Sequence, residues 1–215
     1  MALFTAQTTD QYREAMFNSL QDIDRLSQIV RALLLLSQAE SGQLLLQKSR
    51  LNLCEVVEDL VDQFQIPAEA AGVRLTASLP PECDADVDRV QIERMITNLL
   101  SNALKFTPEG GEVKVTLVVL PDAVELVVRD TGRGIATEHL PHIFDRFYRV
   151  PGKGTAPSPE LGLGLGLSFV AWIVKAHHGK IDVDSTPGRG TTFTIRLPNE
   201  EVAPDTLELA GPATY

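Results

Sequence analysis

The chain has only two cysteines among its 215 residues, Cys54 and Cys83. Neither belongs to a C-x-x-C pair or sits near a cluster of metal-ligating residues, so the sequence offers no zinc site. Two isolated thiols fit a reducing, cytoplasmic setting. Basic residues are also scarce: 19 Lys and Arg stand against 29 Asp and Glu, for a formal net charge of −10. Nucleic-acid binders carry a basic stripe, none is visible here, and nucleic acid is not an expected partner. A nucleotide is a different matter, because backbone amides and a metal ion can offset its phosphates. Long apolar runs are missing as well. Runs such as Ala32 to Leu36 and Phe169 to Val174 fall far short of the roughly 20 residues a membrane-spanning helix needs, and no secretory signal opens the chain. A soluble protein, or the soluble piece of a membrane protein, is expected.

What is present is ample apolar content, 44% of residues, enough for a core of ordinary size. Met16, Leu20, Ile23, Ser27, Val30 and Leu34 recur in steps of four and three, predicting one long helix over 9–41 that Gly42 stops. So wide a stripe must be buried, either on its own domain or in a bundle with other helices. A second amphipathic helix is expected over 53–71, ended by Gly72, and a third over 88–105 with Ile92, Met95, Ile96, Leu99 and Leu100 facing inward. Val73, Leu75 and Ala77 alternate as a strand, as do Val113 to Val119 and Val124 to Val128, the last two joined by a turn at Pro121-Asp122. A loop-rich stretch covers about 131–163. A helix over 165–177 and strands over 181–184 and 191–197 follow, and the residues 199–215 read as a disordered tail. No internal repeat is visible. Helices interleave with hairpin-paired strands, which predicts an α+β two-layer sandwich: a mixed, largely antiparallel sheet under helices, preceded by the long helix.

Four local patterns carry possible chemistry. Asn98, Asn102 and Lys105 lie four and three apart on the third helix and share one face. Two amide oxygens and an ammonium suit a magnesium–phosphate ligand, although a solvated polar face would read the same way. Asp130-Thr-Gly132-Arg-Gly134-Ile135 follows a strand directly. A carboxylate there can accept a hydrogen bond from an exocyclic amine such as that of adenine, and the glycines permit close approach. A plain strand-ending turn is the alternative. Phe144-Asp-Arg146-Phe147-Tyr-Arg149 combines two aromatics, which core packing alone would explain, with two arginines able to neutralise phosphate. Gly162-Leu-Gly164-Leu165-Gly166-Leu167 directly precedes a helix, where alternate glycines and a helix N-terminus can cradle phosphate. It is neither a dinucleotide fingerprint nor a Walker loop. Each pattern alone is ambiguous; their joint occurrence in this order is not.

Together the four motifs closely resemble the boxes of sensor histidine kinases, over about residues 10–198. Gln91–Thr107 resembles the N box, Asp130–Ile135 the first glycine box, Phe144–Arg149 the F box and Gly162–Leu167 the second glycine box; Thr191 in Gly-Thr-Thr-Phe193 matches a threonine near the adenine. The resemblance implies a Bergerat-type ATP-binding fold, shared with type II topoisomerases, mismatch-repair ATPases and heat-shock chaperone ATPases. It implies that Asn102 coordinates Mg²⁺, that Asn98 and Lys105 serve the phosphates as catalytic groups, and that Asp130 reads the adenine amine with a water held near Thr191. Gly132, Gly134, Ile135, Arg146, Gly162, Gly164, Leu165 and Gly166 complete the implied ATP site. The segment 145–163 is then the ATP lid.

The long helix resembles the second helix of the family's dimerisation and phosphotransfer hairpin. The expected organisation is therefore a partial hairpin over 1–45, an ATP-binding catalytic domain over 46–198 and a tail. Two features depart from the family. Leu161 and Leu163 replace the small residues common around the second glycine box. No H box precedes the catalytic region either, since the first histidine is His139. The implied enzyme is an ATP-dependent protein-histidine kinase that phosphorylates a histidine on a phosphotransfer helix outside this chain, passing the group to a response-regulator aspartate. The chain alone is not expected to autophosphorylate. A homodimer through the N-terminal helix, and a cytoplasmic location possibly beneath a membrane-anchored sensor, are the accompanying expectations. The alternative is a nucleotide-gated interaction module without kinase activity.

Overall fold

The computed structural model describes residues 45–150 and 163–199, together with Thr8, Tyr12, Arg13, Met16, Phe17, Ser19, Leu20, Ile23, Val30 and Leu34. The described positions from Tyr12 to Leu34 are helical, and Met16, Leu20, Ile23, Val30 and Leu34 of the heptad stripe are all exposed. The rest of the expected 9–41 helix, with Gly42, and the tail beyond Asn199 lie outside the described residues.

Two layers make up the body. Strands β2 (Arg74–Ser78), β4 (Glu112–Val119), β5 (Ala123–Asp130), β6 (Lys180–Thr186) and β7 (Gly190–Pro198) form one sheet in the order β2-β4-β5-β7-β6. Only β2 and β4 pair in parallel; the other neighbours are antiparallel. Helices α1 (Leu53–Ala70), α2 (Arg89–Phe106) and α3 (Gly166–Ala176) form the other layer. The mixed, mainly antiparallel sheet under helices agrees with the pattern of the sequence.

Strand alternation decides which side chains meet the helices. Register aligns Val115, Val128, Phe193 and Val183 in one row, and Leu117, Leu126, Ile195 and Ile181 in the next. Against these rows α2 lays Ile92, Met95, Ile96, Leu99 and Leu100, and α3 adds Val170, Ile173 and Val174, all buried. Spacings of three and four keep the apolar residues of α2 on one stripe, which leaves Asn98 and Asn102 turned away from the core, half-buried.

Three elements differ from expectation. Ser49–Asn52 (β1) and Asp84–Val87 (β3) pair as a separate antiparallel ribbon, and Thr137–His142 is a short 3₁₀ helix inside the loop-rich stretch. Four-residue strands are too short to show a period of two, and tertiary bonds define them here. Asn52 Oδ1 accepts from Cys54 N (3.1 Å), capping α1, and from Cys83 N (3.2 Å). Leu53 N donates to Cys83 O at 2.7 Å.

A buried imidazole joins the start of α2 to the end of α3. Asp88 caps α2 through Oδ1, which accepts from Gln91 N (3.1 Å), while its Oδ2 accepts from Gln47 N (2.8 Å). Asp88 N in turn donates to His177 Nε2 at 3.0 Å, and His177 Nδ1 donates to Ile173 O at 2.8 Å. Both ring nitrogens are thus committed with the ring neutral.

Burial lowers the His177 pKa below its ordinary 6.5, so the unfolded chain takes up this proton first as pH falls. The contribution is complete above pH 6.5 and is lost as pH drops from there through the folded-state value. Urea midpoints for wild type are therefore expected to fall from pH 7.5 to 5.5 more steeply than those of His177→Gln. The variant should lose about 1–3 kcal/mol at pH 7.5. Parallel pH profiles would contradict the assignment.

Candidate functional site

The period-two pattern of β5 does more than build the core. Val124, Leu126 and Val128 face the helices, and the next inward position is Asp130, a carboxylate buried to 7% exposure at the strand end. Asp130 Oδ1 accepts from Gly132 N (2.8 Å) and Thr191 N (3.2 Å). Burial raises the Asp130 pKa, and these two amides pull it back down. Both bonds use one oxygen, leaving Oδ2 for a ligand.

Thr191 sits beside Asp130 in a small hydroxyl network. Ser185 Oγ accepts from Ile135 N (2.8 Å) and donates to Gly190 O (3.0 Å). Its single proton is thereby used, so Thr191 Oγ1, at 2.9 Å, is the donor to Ser185. The loop 131–135 is thus tied to the β6–β7 hairpin. Gly134 has φ +67°, and a Cβ there would stand 2.1 Å from Thr186 O, so only glycine fits this turn.

Asp130 borders a cavity of about 720 Å³. Its walls include Asn98, Asn102 and Lys105 from α2, then Gly134 and Ile135, then Gly164, Leu165 and Gly166 at the start of α3, and finally Thr191. Asn98 Nδ2 donates to Arg94 O at 2.9 Å, which turns the acceptor Oδ1 elsewhere. That oxygen lies 2.9 Å from where a Cβ on Gly166 would be. The lack of a side chain at Gly166 therefore brings the glycine loop directly against Asn98. Gly164 has φ +71° and is held by its carbonyl, which accepts from Phe147 N at 2.9 Å.

Gly132 and Arg146 do not line the cavity, and Gly162 lies outside the described residues. Gly132 acts on the carboxylate instead, through its amide; a Cβ there would also strike Phe106 O at 2.5 Å. The aromatics of the F-box segment divide. Phe144 packs edge-on against Phe193 with centroids 6.5 Å apart, as core packing expects, whereas Phe147 has a positive φ of 62° and is exposed.

Several wall residues were not singled out from the sequence, among them Arg94, Phe106, Arg133 and Tyr148. Arg94 falls four residues before Asn98 on the same helical face, a spacing that could have found it. Arg133 stacks on Phe106 at 4.2 Å, and Tyr148 Oη meets His139 Nδ1 at 2.8 Å. The first pairing joins separate elements and the second spans nine residues of irregular loop, so neither follows a helix or strand period.

The family model of histidine kinase-, DNA gyrase B- and HSP90-like ATPases matches residues 87–201. The chain belongs to this ATPase family. Among its relatives, the sensor histidine kinase CusS of Escherichia coli strain K12 is 37% identical over 201 residues, 92% of this chain and 40% of CusS. The chain thus spans about two fifths of the length of that curated relative. Among solved structures, the histidine kinase AdeS of Acinetobacter baumannii matches with a TM-score of 0.71 at 26% identity, over 91% of this chain and 87% of that one. The histidine kinase ThkA, solved with the response regulator protein TrrA, matches with a TM-score of 0.68 at 21% identity, over 91% of this chain and 53% of that one; this is a likeness of fold. The α+β sandwich is accordingly the ATP-binding fold of the sensor-kinase members of the ATPase family. Among the described residues no helix is long and apolar enough to cross a membrane.

Because Gly134 has no room for a side chain, Gly134→Ala is expected to destabilise the protein by about 2 kcal/mol or more. The thermal midpoint reads this directly, and an unchanged midpoint would show that the turn has space.

Proposed function

We propose that the cavity binds Mg·ATP and that the chain is the catalytic region of a sensor histidine kinase, passing the γ-phosphoryl group to a histidine on a separate helix and from there to a response-regulator aspartate. One observation carries the reading: the polar face of α2, the buried acid of β5 and the glycine loop before α3 border the same cavity. The residues fit the nucleotide chemically. Asp130 has an uncommitted oxygen for the adenine amine, and the hydroxyl of Thr191 stands beside it for a bridging water. Asn98 and Lys105 serve the phosphates, with the amides of Gly164, Leu165 and Gly166 as the cradle. Gly162 would extend that cradle. Gly132 and Ile135 act by fixing the loop beside the base, and Arg146 acts from outside the wall.

Asn102 is the proposed holder of Mg²⁺, a hard cation that takes oxygen ligands and would neutralise phosphate charge. The chain's contribution is positioning and charge neutralisation. ThkA assembles with a response regulator, which supports the same class of partner here. A cytoplasmic location and a dimer through the N-terminal helix belong to the same proposal. His177 is buried and fully bonded, and His139 is held by Tyr148, so neither is offered as the phospho-acceptor.

Incubation with γ-labelled ATP and a separately supplied hairpin bearing a histidine, aspartate or glutamate, and proline motif is expected to put acid-labile label on the hairpin and none on the chain. Stable label on the chain alone would contradict the reading. Tight ATP binding without any transfer would favour a nucleotide-gated interaction module. Asn102→Ala is expected to weaken nucleotide binding about tenfold in magnesium, with the gap closing when the metal is chelated. Equal affinities in magnesium would remove Asn102 from its role.

A further inference from the structure

Two arginines lie near each other on α2, and their surroundings differ. Arg89 is exposed and paired, with Glu93 at 2.7 Å and Asp59 at 3.5 Å. Arg94 is half-buried, and no carboxylate among the described residues forms an ion pair with it. Its guanidinium instead lies over the ring of Phe169, 4.1 Å from the centroid. Phe169 is buried on α3, one turn beyond Gly166. A ring face stabilises a cation only partly, and a half-buried charge without a counter-ion is costly. Burial accordingly pulls the Arg94 pKa down, yet a guanidinium stays charged in a protein. Arg94 lines the cavity. The site therefore holds a rigid, planar cation whose anion is not supplied by the described protein.

Its place along α2 indicates which anion that is. The adenine-binding groups gather at the C-terminal end of the helix, where Arg133 N donates to Phe106 O (3.0 Å) and Gly132 packs on the same carbonyl. A helix rises about 1.5 Å per residue, which puts Arg94 about 18 Å up the axis from Phe106, beyond Asn102 and Asn98. A nucleotide laid along this face presents its last phosphate to that end. The inference rests on the nucleotide reading of the cavity and deepens it.

We propose that Arg94 is the specificity-determining cation of the site, meeting the terminal phosphate of a nucleoside triphosphate and leaving a diphosphate almost untouched. The Phe169 ring, 4.1 Å from the guanidinium, restrains a group whose fork of N–H donors suits bidentate contact with phosphate. It also ties that contact to α3, whose first residues form the glycine loop. Arg94 and Phe169 together let the loop's own helix register whether the third phosphate is present.

Calorimetric titration of the full chain with magnesium and either ADP or the non-hydrolysable triphosphate AMPPNP tests this. Arg94→Gln is expected to raise the AMPPNP Kd by about tenfold and the ADP Kd by less than about twofold. Phe169→Leu, which keeps apolar bulk and removes the ring, should raise the AMPPNP Kd by about threefold with ADP unchanged. Arg94→Lys, with charge but no planar stack, should fall between wild type and Arg94→Gln. A merely structural role would move both ligands together, so equal shifts, or none, overturn the proposal. If Arg94→Gln does not melt cooperatively, the same comparison in Arg94→Lys and Phe169→Leu decides. Wild type binding neither nucleotide would sink the parent reading instead, a result distinct from wild type binding both without discrimination by Arg94.

Discussion

A carboxylate under the helices of an α+β sandwich is an unfavourable object, since desolvation penalises its charged form. Asp130 is tolerated because two backbone amides, Gly132 N and Thr191 N, converge on one of its oxygens. Those amides come from different places, one from the turn after β5 and one from the start of β7, so the carboxylate exists in this state only when the loop and the β5–β7 pairing are both in place. Nearly everything at the site is arranged around that requirement. The Ser185–Thr191 hydroxyl pair locks the turn to the hairpin, Gly134 lets the backbones touch, and Phe106 O receives the loop at the end of α2.

The two layers then divide the work. The sheet contributes one acid with fixed polarity. The helices and the loop before α3 contribute neutral amides, cations and glycine backbone to the same cavity. Apolar packing between the layers sets the distance between these two chemistries, because the rows of β4, β5 and β7 seat the stripe of α2 whose other side carries Asn98 and Asn102. Core and site are opposite faces of one helix.

Much of this was readable from spacing. The period of two along β5 marks Asp130 as inward-facing, and the steps of three and four on α2 separate the core residues from Asn98, Asn102 and Lys105. What was not readable depended on contacts across the fold. β1 and β3 are too short for a pattern and are stitched together by Asn52 and Cys83. Arg94 has the right spacing, but the ring its guanidinium lies over, Phe169, is far along the chain. The glycine motif marks Gly132 as a place of close approach, but the bond from its amide to Asp130 has no signature in the sequence. Phe144 and Phe147 look alike in sequence, and the structure buries one and exposes the other.

The margins of the sheet have a consequence of their own. One edge is β2, with Arg74 exposed and ion-paired to Glu112, and the other is β6, whose exposed Lys180, Asp182 and Asp184 alternate along the strand. Charged side chains on an edge discourage a foreign strand from docking there. Sideways growth into fibrils is therefore disfavoured for this sheet, and concentrated solutions of the domain should resist strand-to-strand aggregation.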